Sequence, residues 1–277
     1  MGSIEKAIYN RSERLLGAET MNVLAEKSVI IFGVGGVGSW CAESLVRSGI
    51  KNLTIVDSDR VCITNVNRQI MATMETVGMV KVEALKQRLL SINPKANITA
   101  MQKIYTESTA DAFEIERYDY IVDAIDSLQD KALLILNACK TKAKFFSSMG
   151  AALKIDPTKV DVAEFWKVKG CPLGAALRRK FKKQHTFPAR KFKCVYSEEL
   201  LPNLGRSHAC GTVACLCPKA ENGPGDPELL NHEWCSSKAQ INGSLSHITA
   251  IFGFTIAGLI MQDAVEKASC SVETETK

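Results

Sequence analysis

Val29-Ile30-Ile31-Phe32-Gly33-Val34-Gly35-Gly36-Val37-Gly38 is an apolar run that enters a glycine-rich turn, and an amphipathic stretch follows from Ser39 to about Ser48. The order reads strand, tight turn, helix. In that setting a G-x-G-x-x-G spacing acquires a meaning. Glycines let the backbone turn sharply and let an anion approach its N–H groups, and the positive end of the helix dipole favours that anion. Taken alone, the stretch signifies a nucleotide and leaves open which one.

Outward from it, the pattern repeats. Leu53-Thr54-Ile55-Val56 predicts a second strand closed by Asp57, 19 residues after Gly38. In a doubly wound sheet an acidic residue there caps ribose hydroxyls. A helix is predicted from Glu75 to Ile92, stopped by Asn93-Pro94. A weakly alternating strand follows over Asn97–Met101, then a short helix over 107–116. Tyr118–Ala124 and Lys144–Gly150 read as buried strands around a helix from Leu128 to about Thr141. The fold class is therefore α/β: a Rossmann-like, doubly wound, mainly parallel sheet with helices on both faces. Lys154–Pro157 and Lys159–Ala163 suggest a short hairpin extending the sheet, and a last helix is predicted from Ser244 to Lys267. Residues 1–27 read as amphipathic helix, with Leu15, Leu16, Val23 and Leu24 on one face and Arg11 and Arg14 nearby. The organisation is a single domain over 1–267, with a nucleotide-binding core at about 25–150, a C-terminal part at 151–267 and a polar tail at 268–277.

The bulk composition restricts the class. Apolar residues make up 46% of the 277 and charged residues 23%, ordinary for a globular chain. The N-terminus carries no apolar run or cleavage signal. Ten cysteines in that context point to reduced thiols in a cytoplasm. The apolar run Ile248–Met261 is shorter than the ~20 residues of a spanning helix, so a buried helix is expected, with membrane association as the minor alternative. Net charge is +5, but ten Lys or Arg and no Asp or Glu fall between Trp166 and Ser197. The rest of the chain is mildly acidic. That asymmetry suggests a polyanionic partner.

Ligands of doubly wound sheets sit at the carboxyl ends of the strands, where Gly33–Gly38, Asp57 and Asp123–Ser127 all fall. Nearby lie Asp59, Asn65, Asn67, Arg68, Gln69 and Lys81. A triphosphate requires cations for its outer phosphates and a carboxylate for Mg²⁺. Arg68 and Lys81 suit the first need and Asp126 the second. Asp126 or Ser127 could instead cap the following helix. A nicotinamide enzyme would share Gly33–Gly38 and Asp57 and leave Arg68, Lys81 and Asp126 unexplained.

Gly33–Gly38, Asp57-Ser58-Asp59, Asn65-Val66-Asn67-Arg68-Gln69, Gly78–Lys81 and Asp123–Ser127 resemble the ATP-binding motifs of the ThiF/MoeB/E1 superfamily, which adenylates carboxylates. Arg14–Gly17, Met149–Ala152, Ile155-Asp156-Pro157 and Phe252-Gly253-Phe254 are similar to its tRNA threonylcarbamoyladenosine dehydratase branch. The resemblance runs from about Arg11 to Lys267. It implies that Gly33, Gly35, Gly36 and Gly38 cradle phosphates and that Asp57 holds the ribose. Asp59, Asn67, Arg68, Gln69 and Lys81 line the ATP site, joined by Asp123 and Ser127, and Asp126 holds Mg²⁺. It further implies a homodimer in which Arg14 reaches the neighbouring subunit's phosphates. The implied reaction activates the threonyl carboxylate of a modified adenosine beside the anticodon and closes a ring with loss of one water. Activation of a small sulfur-carrier protein's C-terminal glycine is the alternative within the superfamily. A cysteine desulfurase or sulfur acceptor is kept as a partner candidate, and a monovalent cation as a cofactor candidate.

Many relatives hold zinc on two C-x-x-C pairs. Here Cys210, Cys215 and Cys217 are spaced C-x₄-C-x-C, so free thiols are expected rather than structural zinc. Cys235 sits where this branch has a cysteine that could accept an acyl group. An ordinary thiol is the preferred reading, since ring closure needs no covalent intermediate. The basic segment, with Arg178, Arg179, Lys180, Lys182, Lys183, Arg190, Lys191 and Lys193, is read as the tRNA-backbone surface, with no role for DNA. Phe181, Phe187 and Phe192 are interleaved there and could stack on bases.

Overall fold

The computed structural model describes residues 3–205 and 242–275, without the side chains of Ser3 and of residues 269–275. Cys210, Cys215, Cys217 and Cys235, and the path expected between Gly205 and Trp234, lie outside the described residues.

The apolar run of the glycine stretch is β1 (Ser28–Phe32). It lies mid-sheet, between β2 (Asn52–Val56) and β4 (Tyr120–Asp123). With β3 (Asn97–Met101), β5 (Lys144–Ser148), β6 (Val160–Glu164) and β7 (Lys193–Ser197), the order is β3-β2-β1-β4-β5-β7-β6. All neighbours are parallel except β6 against β7.

Strand residues alternate between two cores, as the period of two requires. Val29 and Ile31 join one core with α4 (Gly38–Arg47), α5 (Lys81–Ile92) and α8 (Ser246–Glu275). Ile30 and Phe32 join a second core with α6 (Leu128–Ala138) and α7 (Pro172–Gln184). The register pairs Phe32 with Val56 and with Asp123, and Asp123 with Ser147. Gly33, Asp57 and Ala124 therefore leave the sheet at one level, beside Ser148 at the end of β5, which forms the crevice edge.

The N-terminal helix is three pieces: α1 (Ser3–Ile8), α2 (Asn10–Leu16) and α3 (Ala18–Glu26). Gly17, at φ +82°, breaks the last two apart. Leu15 does not line an apolar face; it is 83% exposed. The helix predicted from Glu75 begins only at Lys81. Gly78 takes a positive φ, and Val80 bridges Arg60 instead of winding. Over 107–116 the expected helix is two 3-10 turns, Ala110–Phe113 and Ile115–Arg117. The hairpin at 154–163 is also corrected. Val160–Glu164 is a strand, but its partner is β7, on the far side of α7.

The last helix is longer than its apolar run. By length and composition Ser246–Ala268 would suffice to cross a membrane, yet half of its most apolar window is buried within the protein. Its contact with α4 is close: a Cβ on Gly253 would lie 2.5 Å from the Val37 carbonyl. Phe254 packs edge-on against Trp40, 5.7 Å between centroids. At the other end Asp263 accepts from Tyr120 Oη and pairs with Lys144 and Lys267.

Cys41, Cys139, Cys171 and Cys194 are free and buried, in keeping with reduced thiols. The Cys62 Sγ accepts from Thr64 N at 3.4 Å.

Candidate functional site

The glycine loop is shaped by close approaches. A Cβ on Gly33, at φ +84°, would lie 2.7 Å from the Ala124 carbonyl. One on Gly38 would lie 1.9 Å from the Gly33 carbonyl. These two glycines are needed by the fold itself. A Cβ on Gly36 would lie 3.0 Å from the Thr249 methyl of α8. Gly35 differs: among the described residues, a Cβ there would meet only Gln69 Nε2, at 3.7 Å. The loop is thus most open at Gly35.

Gly35→Ala is accordingly expected to leave thermal stability unchanged and to raise the KM for ATP about tenfold, since every 1.4 kcal/mol lost is a factor of ten. Thermal melting and steady-state kinetics on one preparation check both halves. A normal KM would show that no ligand approaches this backbone.

Asp57, at the end of β2, braces the loop. Its Oδ2 accepts from Val34 N at 2.8 Å and its Oδ1 from Asp59 N at 2.9 Å. Lys81, the first residue of α5, is buried and points into the same corner. Its Nζ lies 2.6 Å from Asp59 Oδ2 and 3.8 Å from Asp57 Oδ1. Burial works against the ammonium, but Asp57 and Asp59 outweigh it and raise Lys81 above the ordinary lysine value; Asp126 adds to the same effect.

Asp126 is exposed beyond the end of β4. The helix-capping alternative for it is settled by its neighbour: Ser127 is the N-cap of α6 and accepts from Asp130 N. Asp123 is fully buried, which corrects its expected place among the nucleotide contacts. Its carboxylate is held by Ser147 Oγ at 2.6 Å, Ile125 N at 3.1 Å and Lys131 Nζ at 2.8 Å.

Asn67 and Arg68 come from the loop after β2. Asn67 Nδ2 donates to the Ser244 carbonyl, and its Oδ1 accepts from Arg68 Nη1. Asn67 therefore aims the guanidinium. Trp40 Nε1 donates to the Arg68 carbonyl at 3.0 Å. Gln69 is buried, and its Oε1 has no partner among the described residues. Arg14 stands apart. Tyr9, which precedes α2, donates to the Val46 carbonyl and accepts from Asn93 Nδ2. Both partners lie at helix ends remote from the crevice, with α4 spanning about 15 Å between.

The basic segment divides. Arg178 donates to the Phe165 carbonyl, and Arg190 to the Ala138 and Ala143 carbonyls, so both serve the fold. Lys180 lines a cleft with Glu107 and Asp130. Arg179, Lys182, Lys183, Lys191 and Lys193 are exposed. Phe181 and Phe192 are buried in the second core, which removes them as stacking residues. Phe187 is 54% exposed and leans on Trp166.

Lys131, Trp40 and Thr249 were not singled out by sequence reasoning. A lysine on the apolar stripe of α6, and a threonine in the first turn of an otherwise apolar helix, were the available signals.

The ThiF family profile matches residues 9–272. The chain belongs to the ThiF family. Among ThiF relatives, the tRNA threonylcarbamoyladenosine dehydratase of Escherichia coli K12 is 32% identical over 266 residues, 94% of each chain. That of Bacillus subtilis 168 is 40% identical over 176 residues, 64% of this chain and 69% of its own. The crystal structure of the E. coli enzyme, TcdA, in complex with ATP superposes with a TM-score of 0.79 at 29% identity, covering 97% of this chain and 98% of the other.

Proposed function

We propose that this protein is an ATP-dependent dehydratase that cyclises threonylcarbamoyladenosine in tRNA, next to the anticodon. The observation that carries the reading is the crevice: Lys81, buried against Asp57 and Asp59 at the end of β2, and Asp126, exposed beyond the end of β4, flank the glycine loop that follows β1. The likeness to threonylcarbamoyladenosine dehydratases along nearly the whole chain supplies the substrate.

A carboxylate is a poor electrophile because its leaving group would be oxide. The threonyl carboxylate attacks the α-phosphorus of ATP, and pyrophosphate leaves. A nucleophile of the same side chain then attacks the acyl carbon, a proton is lost, and AMP departs with the former carboxylate oxygen. The tRNA loses one water in sum. Arg68 and Lys81 neutralise the phosphates as charge shifts to the leaving group. Asp57, whose oxygens each retain a lone pair beyond the bonds to Val34 and Asp59, accepts from the ribose. Mg²⁺, held by Asp126 and phosphate oxygens, would polarise the triphosphate; one carboxylate with substrate phosphates is an ordinary Mg²⁺ site. Ring closure calls for no sulfur chemistry, so a cysteine desulfurase has no part in this step.

Arg14 acts in trans in a homodimer. Supporting this are the anchoring of Tyr9 away from its own crevice and the exposed apolar residues Leu15 on α2 and Phe254 on α8. Mixing inactive Arg14→Ala and Asp126→Ala subunits is expected to restore part of the activity, read as product formed after subunit exchange. No recovery would place both residues in one subunit's site.

The exposed cations of α7 and the start of β7 bind the tRNA backbone, and the enzyme works in the cytoplasm on its tRNA. Replacing Arg179, Lys182, Lys183 and Lys191 with alanine should weaken tRNA binding and reduce the salt slope by about 0.7–0.9 for each phosphate that is no longer neutralised. A filter-binding titration over salt measures it. An unchanged slope would put the RNA surface elsewhere.

The test of the function is direct. The protein is incubated with ATP, Mg²⁺ and threonylcarbamoylated tRNA, and the digested nucleoside is weighed. Retention of the full mass, under conditions where ATP binds, would remove the proposal.

A further inference from the structure

Asp123 and Lys131 form an ion pair at 2.8 Å with neither side chain exposed. Such a pair is costly: each ion gives up several kcal/mol of hydration, and two apolar residues of the same volume often stabilise a fold as well. Its geometry suggests what it does instead. Lys131 Nζ donates to the Ile125 carbonyl at 3.0 Å, and Asp123 Oδ1 accepts from Ile125 N at 3.1 Å. Ser147 Oγ holds the other carboxylate oxygen at 2.6 Å. Both polar backbone groups of Ile125 are thus gripped by one buried pair, and the next residue is Asp126. On the far side Ser127 is fixed as the cap of α6. Asp126 is exposed, yet the chain on either side of it is clamped.

We propose that Lys131 is a positioning residue for adenylation: through the Ile125 carbonyl and Asp123 it sets the Ala124–Ser127 turn so that Asp126 meets the metal-bound triphosphate. This rests on the ATP reading of the crevice given above. Lys131 touches no substrate. It lies five residues beyond Asp126, on the inner face of α6 beside Ala132 and Ile135. A loop held only by its ends would let a carboxylate drift by an ångström, and a misplacement of that size costs about 100-fold in rate.

The test replaces both charges together, so that no unpaired ion remains in the core. The double variant Asp123→Asn, Lys131→Met is compared with the parent by thermal melting, by calorimetric ATP binding with and without Mg²⁺, and by dehydration kinetics. Its expected melting temperature is near the parent's. ATP affinity without Mg²⁺ should be unchanged, the gain in affinity on adding Mg²⁺ should disappear, and kcat should fall about 100-fold. A folded double variant with the parent's Mg²⁺ response and kcat would overturn the proposal. Ser147→Ala is a milder change that keeps the test open if the double variant does not fold. It is expected to lower kcat about tenfold, and an unchanged kcat there also counts against the pair. If the parent binds Mg²⁺·ATP but removes no water from tRNA, the reaction assigned above fails. The Mg²⁺ response in binding then still judges Lys131.

Discussion

Asp126→Ala is expected to lower ATP-dependent loss of water from threonylcarbamoylated tRNA by at least about 100-fold while leaving tRNA affinity and thermal stability unchanged. The separation of the two effects follows from position. Asp126 is exposed, and the cap of α6 is supplied by Ser127. Removing its carboxylate therefore opens no cavity and frees no helix end. Asp126 also raises Lys81, which keeps two other carboxylates close by. On the proposed reading, what the variant loses is the oxygen ligand for Mg²⁺ on the triphosphate. Mass of the digested nucleoside reports the chemistry, and filter binding of the tRNA reports the rest. Parallel loss of both would make Asp126 a structural residue.

Lys81→Met is expected to damage both stability and turnover. The ammonium is buried between Asp57 and Asp59, and removing it leaves two carboxylates without their cation beside the glycine loop. Breaking a buried pair in this way costs about 3 kcal/mol or more, a fall of roughly 5–10 °C in melting temperature for a domain of this size. On the proposed ATP reading, in which Lys81 neutralises the phosphates, activity should fall further than instability explains. The pH dependence has a definite sign. The folded state raises the lysine above its free value, against burial and through Asp57 and Asp59. Its stabilisation is therefore complete below about pH 10.4 and is lost as pH climbs through the higher folded value. Melting curves between neutral and strongly alkaline pH should converge for parent and variant. Parallel curves would assign the stability to packing of the lysine stem.

The strands up to Ser148 were readable because their signals are local. Apolar runs bounded by glycine or aspartate gave β1, β2, β4 and β5, and the carboxyl edge followed from their order. The part after Gly150 resisted for a physical reason. β6 pairs with β7 across α7, so neither strand has a local partner to announce it. Charge also concealed structure. Arg178, Phe181, Arg190 and Phe192 belong to a basic segment by sequence, yet the fold uses them to build the second core and to hold carbonyls. In the crevice, residue types and spacing singled out Arg68, Lys81 and Asp126 as candidates. The inward turn of Asp123 was not visible, because its partner Lys131 reads as an ordinary charged residue until its face of α6 is known.

The approach of Gly36 to Thr249, and of Gly253 to Val37, has a consequence for synthesis. The glycine loop is made early, but part of its wall is α8, more than 200 residues later. At about 5–20 residues per second a ribosome needs tens of seconds to cover that distance. Through that interval the face of α4 that α8 will cover stays open. The nascent chain should depend on a holding factor, and ATP protection against proteolysis should begin only once the final helix clears the exit tunnel.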